Sequence, residues 1–221
     1  MNFNQRRGIK NNYLFLLILV VALIVFIPLF IYRTIGPLDF WWWMSANLVI
    51  LLSLSLLTDA SYRKELTGDF QKSIPKKIIW GLVSAVLLYG VFFIGNALVR
   101  WIFDFAGKNI SDVYGFKGGA ENIRIGLLML IIIGPGEELM WRGYMQGTFS
   151  ASLGKVKGFL VGVLFYTLIH VATGNLILIL AALVGGLFWG WMYMRYRSML
   201  LNIVSHIVWD IAIFLVFPLN G

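Results

Sequence analysis

The sequence predicts an all-α, polytopic membrane helix bundle, and three observations carry that prediction. Sixty per cent of the 221 residues are hydrophobic and 13% are charged, with a mean hydropathy of +0.84; soluble domains lie nearer about 45–50% apolar. Apolar runs of the roughly 20 residues that a bilayer crossing needs recur along the whole chain. The net charge of +8 is dispersed in short segments between those runs, a placement that sets membrane topology and argues against nucleic acid as a partner.

Seven spans are expected, at 13–33, 39–58, 78–101, 124–146, 156–173, 175–194 and 198–218. The first is long enough to cross and lacks the small-residue cleavage site of a signal peptide. The second opens on DFWWWM (39–44), whose tryptophans read as interfacial anchors. The inner connection 59–77 is strongly basic, and the outer one from Asp104 to Asn122, with its glycines and mixed charges, reads as a solvated loop. The turn HVATGN (170–175) is so short that the spans on either side must pack as a hairpin. Gly158 and Gly162, then Gly186 and Gly190, are small-residue pairs that let helices approach closely.

Orientation follows from lysine and arginine. With the N-terminus in the cytoplasm, Arg6, Arg7, Lys10, Arg63, Lys64, Lys72, Lys76, Lys77, Lys155, Lys157, Arg195 and Arg197 fall inside. Only Arg33, Arg100, Lys108, Lys117 and Arg124 fall outside, twelve against five. The bias predicts N-terminus in and C-terminus out. Two regions are expected: residues 1–123, three spans with the basic cytoplasmic loop, and residues 124–218, four spans that hold the chemistry. Cysteine is absent, which excludes disulfides, thiolate metal sites and a cysteine nucleophile.

The chemistry is flagged by polar residues deep in apolar segments. IIIGPGEELMWRGYMQG (131–147) places Glu137, Glu138 and Arg142 within six residues, although one ionisable side chain at the bilayer centre costs at least about 2.5–3.5 kcal/mol. His170, Asn202, His206 and Asp210 join them, with Asn47 and Asn96 as outliers. Glu138 and Arg142 are i and i+4, on one helix face where they neutralise each other; Glu137 points about 100° away with no partner on its own helix. Asn202, His206 and Asp210 recur every four residues as a polar stripe that must face the bundle. At ~1.5 Å per residue, Glu137, His170, His206 and Asp210 can all meet near mid-membrane. Gly134-Pro135-Gly136 just before the glutamates predicts a kinked or widened turn beside a cavity.

A cavity lined by an unpaired glutamate and two histidines has the parts to activate water and stabilise an oxyanion, the needs of peptide-bond hydrolysis. Other hydrolytic designs find no support: the sequence has no H-E-x-x-H and no G-x-S-x-G, and Ser205 faces a different side of its helix from His206. Buried Glu/His sets also serve as proton relays in transporters, and the same fold could act as a non-catalytic scaffold or immunity protein.

In order, these clusters resemble the motifs of the CAAX-protease and bacteriocin-processing family of intramembrane proteases, which includes the type II CAAX prenyl endopeptidases. E-E-x-x-x-R matches Glu137, Glu138 and Arg142; F-x-x-x-H matches His170 with Tyr166 in place of phenylalanine; H-x-x-x-N/D matches His206 and Asp210. The resemblance covers about residues 124–218. It implies that Glu137 and His170 activate the water, Glu138 and Arg142 hold the site together, and His206 with Asp210 stabilises the oxyanion. An ionised aspartate cannot donate a hydrogen bond, so Asp210 is either protonated, an orienter of His206, or a metal ligand. Glu137, His170 and His206 could also hold one zinc ion with a place left for water; the metal-dependent and metal-free mechanisms both remain open at this point. The implied partners are a membrane-associated protein or peptide substrate and the lipid bilayer, and the implied location is a bacterial cell membrane.

Overall fold

A computed structural model describes residues 12–220, and among them it contains nine helices and no strands. Arg6, Arg7 and Lys10, which enter the orientation count, lie outside the described residues. Helix α1 is Asn12–Tyr32, α2 Phe40–Thr58, α3 Ala60–Phe70, α4 Ile74–Ile102 and α5 Ala106–Tyr114. Helix α6 covers 122–153, α7 is Lys155–Val171, α8 Leu176–Tyr196, and α9 runs from Met199 to Val216. Helices occupy each of the seven expected positions. Five of them, Tyr13–Tyr32, Phe40–Thr58, Ile74–Ile102, Leu176–Tyr196 and Met199–Val216, are by themselves long and apolar enough to cross a membrane. The chain is an all-α polytopic membrane bundle.

The ends of the helices are written in capping residues. Asp39 accepts from the Trp41 and Trp42 amides, Asp59 from Tyr62, Asn175 from Leu178 and Ser198 from Leu201, each satisfying a backbone donor that a helix start leaves orphaned. In α1, apolar on every side, burial singles out Ile18, Ala22, Phe26 and Leu29, while Leu17, Ile24 and Ile31 face outward. Helix α4 is the most peripheral: along its 29 residues only Gly81, Ala85 and Leu88 are buried, one stripe at helical spacing that packs on α9.

Two connections differ from expectation. The inner segment 59–77 contains α3, whose Tyr62 is fully buried and donates its hydroxyl to the Leu139 carbonyl at 2.6 Å. Glu65 pairs with Arg197 at 3.1 Å, and Asp69 accepts from the Leu200 amide at 2.9 Å, so α3 is latched to the α8–α9 turn. The segment 104–122 is not a solvated loop either. Helix α5 buries Ala106 and Ile110, and Phe116 in the following 3₁₀ turn is buried as well. Ala106, Ile110 and Val113 make a short apolar stripe hidden among glycines and charges. Asn175 donates to the Asn109 carbonyl at 2.8 Å and Tyr114 to that of Ile213 at 2.9 Å. The turns thus sort to two ends, α3 with the α8–α9 turn at one, α5 with the α7–α8 turn and the chain's last turn at the other.

The tryptophan triplet also divides. Trp42 is exposed, but Trp41 and Trp43 are buried, because successive helix positions turn by about 100°; only Trp42 can serve as an interfacial anchor. Small residues set the helix spacing. A Cβ at Gly162 would lie 3.0 Å from the Gln146 Cβ, and one at Gly190 3.0 Å from the Phe159 ring, so the expected pairs do sit at helix–helix contacts. At Gly134 a Cβ would meet the Ile207 side chain at 2.7 Å. That close approach brings α6 against α9 one turn before the glutamates.

Candidate active site

Helix α6 is not uniformly α-helical. Met129–Ile133 and Glu138–Gln146 are π-helical, flanking the α-helical Gly134–Glu137. Widened turns of this kind are rare and concentrate at functional sites; the expected distortion around Pro135 takes this form. The wider turn redirects backbone carbonyls, one of which, at Leu139, receives the Tyr62 hydroxyl.

Glu138 is the hub of a saturated polar cluster. It is fully buried. Its Oε1 lies 3.0 Å from Arg142 Nη1 and 2.8 Å from His206 Nδ1, and its Oε2 accepts from Asn202 Nδ2 at 2.9 Å. The Arg142 contact is an ion pair rather than an aligned hydrogen bond, and the guanidinium also lies 4.3 Å from the centre of the Tyr166 ring, a cation–π contact. Asn202 donates further to the Trp189 carbonyl at 2.8 Å. Trp189 stacks on His206 with centroids 3.8 Å apart and donates its indole N–H to Ser205. Because a carboxylate can only accept, His206 Nδ1 carries a proton; Nε2 faces Asp210 Oδ1 at 3.6 Å.

Glu137 lives differently. Its Oε2 accepts the Tyr166 hydroxyl at 2.8 Å, and among the described residues Oε1 has no protein donor. On α7, His170 Nδ1 sits 2.7 Å from the Tyr166 carbonyl, which can only accept, so the proton is on Nδ1 and Nε2 keeps its lone pair. Phe30 of α1 packs on the His170 ring with centroids 4.8 Å apart.

Glu137, Tyr166, His170, His206 and Asp210 line one cavity of about 120 Å³, walled by Phe30, Phe40, Trp41 and Trp189 among others. It is polar on one side and large enough for water. Beside it lies a chamber of about 220 Å³ that is almost wholly apolar, and Trp209 and Phe214 line both. Glu138 and Arg142 stand behind the cavity rather than in its lining. All six sequence-derived candidates therefore gather in one place, Glu137, His170, His206 and Asp210 at the cavity and Glu138 with Arg142 behind it.

Five contributors have no role assigned from the sequence. Asn202 carried a signal, its place in the α9 polar stripe. Trp189 carried none beyond lying in a glycine-rich stretch. Tyr166 was visible only as an aromatic replacement, and Phe30 and Trp41 come from helices without any motif. Asn47 and Asn96 stay outside the site: Asn47 donates to the Val25 carbonyl and Asn96 accepts from Arg100.

A zinc ion would draw on Glu137, His170 and His206. Among the described residues no three His, Asp or Glu side chains converge as ligands of one ion. His206 is taken at Nδ1 by Glu138 and turned at Nε2 toward Asp210. As placed, these residues do not form a zinc ligand set.

No curated protein and no solved structure matches the chain. The sequence model of one family does match, over residues 119–212, a segment that contains every polar residue of the cavity and of the cluster behind it. The matched segment, residues 119–212, is similar to the family described as type II CAAX prenyl endopeptidase, Rce1-like, a family of proteases.

Proposed function

We propose that the chain is an intramembrane endopeptidase that hydrolyses a peptide bond of a membrane-associated protein or peptide, with water activated by Glu137 and His170. The observation that carries this reading is the contrast between adjacent glutamates: Glu138 has its oxygens claimed by Arg142, His206 and Asn202, whereas Glu137 presents an unclaimed oxygen to the cavity it shares with the His170 lone pair. Water held between Oε1 of Glu137 and Nε2 of His170 gives a proton to Glu137 as its oxygen bonds to the scissile carbonyl carbon. The carbonyl oxygen becomes an oxyanion facing His206, which as the imidazolium donates from Nε2 while its Nδ1–H stays on Glu138, and a protonated Asp210, which donates its O–H. As the C–N bond breaks, Glu137 returns its proton to the leaving amine. Glu138 and Arg142 orient His206 and do not touch substrate.

The family description names a prenylated substrate, and the apolar chamber beside the cavity offers a seat for such a chain; bacteriocin-related peptides are the other substrate class. In this reading residues 124–218 are the catalytic core, residues 1–123 supply a wall of the cavity and the basic loop, and seven crossings place the N-terminus in the cytoplasm and the C-terminus outside, in a bacterial cell membrane. The lysine and arginine asymmetry supports that orientation.

The test is cleavage of a membrane-anchored peptide by purified protein in detergent, with and without a farnesyl group on its C-terminal cysteine, against Glu137→Gln. Cleavage by wild type and its loss in the variant are expected. Equal cleavage by both overturns Glu137 as base, and no cleavage by wild type favours the scaffold or proton-transport alternatives.

A further inference from the structure

Tyr166 stands four residues before His170, where the F-x-x-x-H motif that this segment resembles has a phenyl ring in place of its phenol. The departure is not idle. The hydroxyl donates to Glu137 Oε2 at 2.8 Å, while the carbonyl of the same residue accepts from His170 Nδ1 at 2.7 Å. One residue thus touches both members of the water-activating pair, by its side chain on one and by its backbone on the other.

The ring is held where it can do this. The Arg142 guanidinium covers it at 4.3 Å, Trp141 meets it edge-on at 5.8 Å, and the His170 ring lies 4.8 Å away. Gly186 on α8 leaves it room: a Cβ there would stand 3.3 Å from Tyr166 Cδ1. Tyr166 is 6% exposed, so its hydroxyl is shielded from bulk solvent. Among the described residues the phenol is the donor that Glu137 has. Without it, the carboxylate could rotate about its terminal torsion, which is soft.

Resting on the proposed peptidase reading, we infer that Tyr166 is the positioning residue of the water-activating pair. Its phenol pins one carboxylate oxygen of Glu137 so that the other faces the water, and its carbonyl fixes the His170 tautomer that leaves Nε2 as an acceptor. The carbonyl would serve equally from phenylalanine. The phenol ties orientation of the base to the Arg142 cluster through the shared ring.

Two measurements test it, on the full chain in detergent. In the first, Tyr166→Phe, which keeps the ring, is compared with wild type on the membrane-anchored peptide. Misplacing a reacting group by about 1 Å costs on the order of 100-fold, so kcat should fall about 10- to 100-fold while KM stays within about twofold, because the ring that shapes the cavity is intact. In the second, thermal unfolding is measured for Tyr166→Phe, Glu137→Leu and the double variant. The double variant should lose less than the summed single losses, by about 2–4 °C. An unchanged kcat in Tyr166→Phe, or additive losses in the cycle, overturns the inference. Coupling in the cycle with unchanged kcat reduces the phenol to a structural bond and likewise overturns it. If wild type cleaves nothing, the peptidase reading fails and this inference fails with it, whereas activity lost with Glu137→Gln but kept with Tyr166→Phe sinks the inference alone.

Discussion

Glu137 and Glu138 are consecutive, chemically identical and both buried, yet they stand in opposite surroundings. Glu138 is enclosed by a guanidinium, an imidazole and an amide that together occupy its oxygens. Glu137 has one phenol and an open side toward a cavity. The first arrangement suits a carboxylate that must stay put, and the second one that must exchange a proton. A buried charge stripped of its partner is strongly destabilising, while a group that works by proton transfer tolerates neutralisation structurally and loses its chemistry. The two residues should therefore fail in different ways when changed.

The largest expected effect is on activity at the open site. Glu137→Gln should lower peptide cleavage by about 100- to 10,000-fold, the range of general acid–base contributions, with a Tm change no larger than about 2–4 °C. A variant that instead unfolds while keeping its activity would erase the distinction between the two glutamates. Next comes the closed cluster. Glu138→Ala and Arg142→Ala should each cost about 3–5 kcal/mol, seen as a Tm loss of roughly 6–20 °C. The double variant should lose less than the sum; additive losses in the melting experiment would mean that the 3.0 Å pair carries no coupling.

Asp210 sharpens the comparison from the oxyanion side. If it donates as the acid, Asp210→Asn offers an amide N–H from the same place and should retain activity within about tenfold. Cleavage by either protein should then be insensitive to a chelator. A steep loss reversed by added zinc would transfer the residue to a metal site. The smallest effect belongs to a carboxylate at the start of α2. Burial tends to raise the Asp39 pKa, but the hydrogen bond from Arg124 and those from the Trp42 and Trp41 amides outweigh it and hold it below the usual aspartate value. A carboxylate depressed in the folded state adds stability above its unfolded pKa and loses it as pH falls through the folded value. The pair is partly exposed and solvent-screened, so Asp39→Asn should cost at most about 1 kcal/mol at neutral pH. The Tm gap between wild type and variant should close as pH drops below about 4; a gap that stays constant would remove the ion pair from the account.

Why some of this was legible follows from the solvent. In a bilayer, polar side chains cannot be decoration, so the spacing of Glu138 with Arg142, and of Asn202, His206 and Asp210, pointed to one interior site. The capped starts at Asp39, Asp59, Asn175 and Ser198 were equally readable in principle. Helices α3 and α5 were obscured because each hides only a few apolar residues, Tyr62 in one and Ala106 with Ile110 in the other, within polar segments. Trp41 could not be told from Trp42, since a helix apolar all round carries no directional signal. The partner of the Tyr166 phenol lies 29 residues away on a crossing helix, and helix crossing angles are not written in a spacing.

The π-helical hub has a consequence for how the protein is made. Glu138 meets the His206 imidazole across 68 positions of sequence, and ribosomes add about 5–20 residues per second. For several seconds after α6 emerges, its acidic pair has only Arg142 for company, on a helix that is not among the five apolar enough to enter lipid alone. Nascent α6 therefore has its acidic pair incompletely neutralised, and α9, which follows it in the chain, supplies the imidazole and amide that complete the cluster. The helix that holds both glutamates thus completes its polar pairing only with a partner 68 residues later in the sequence.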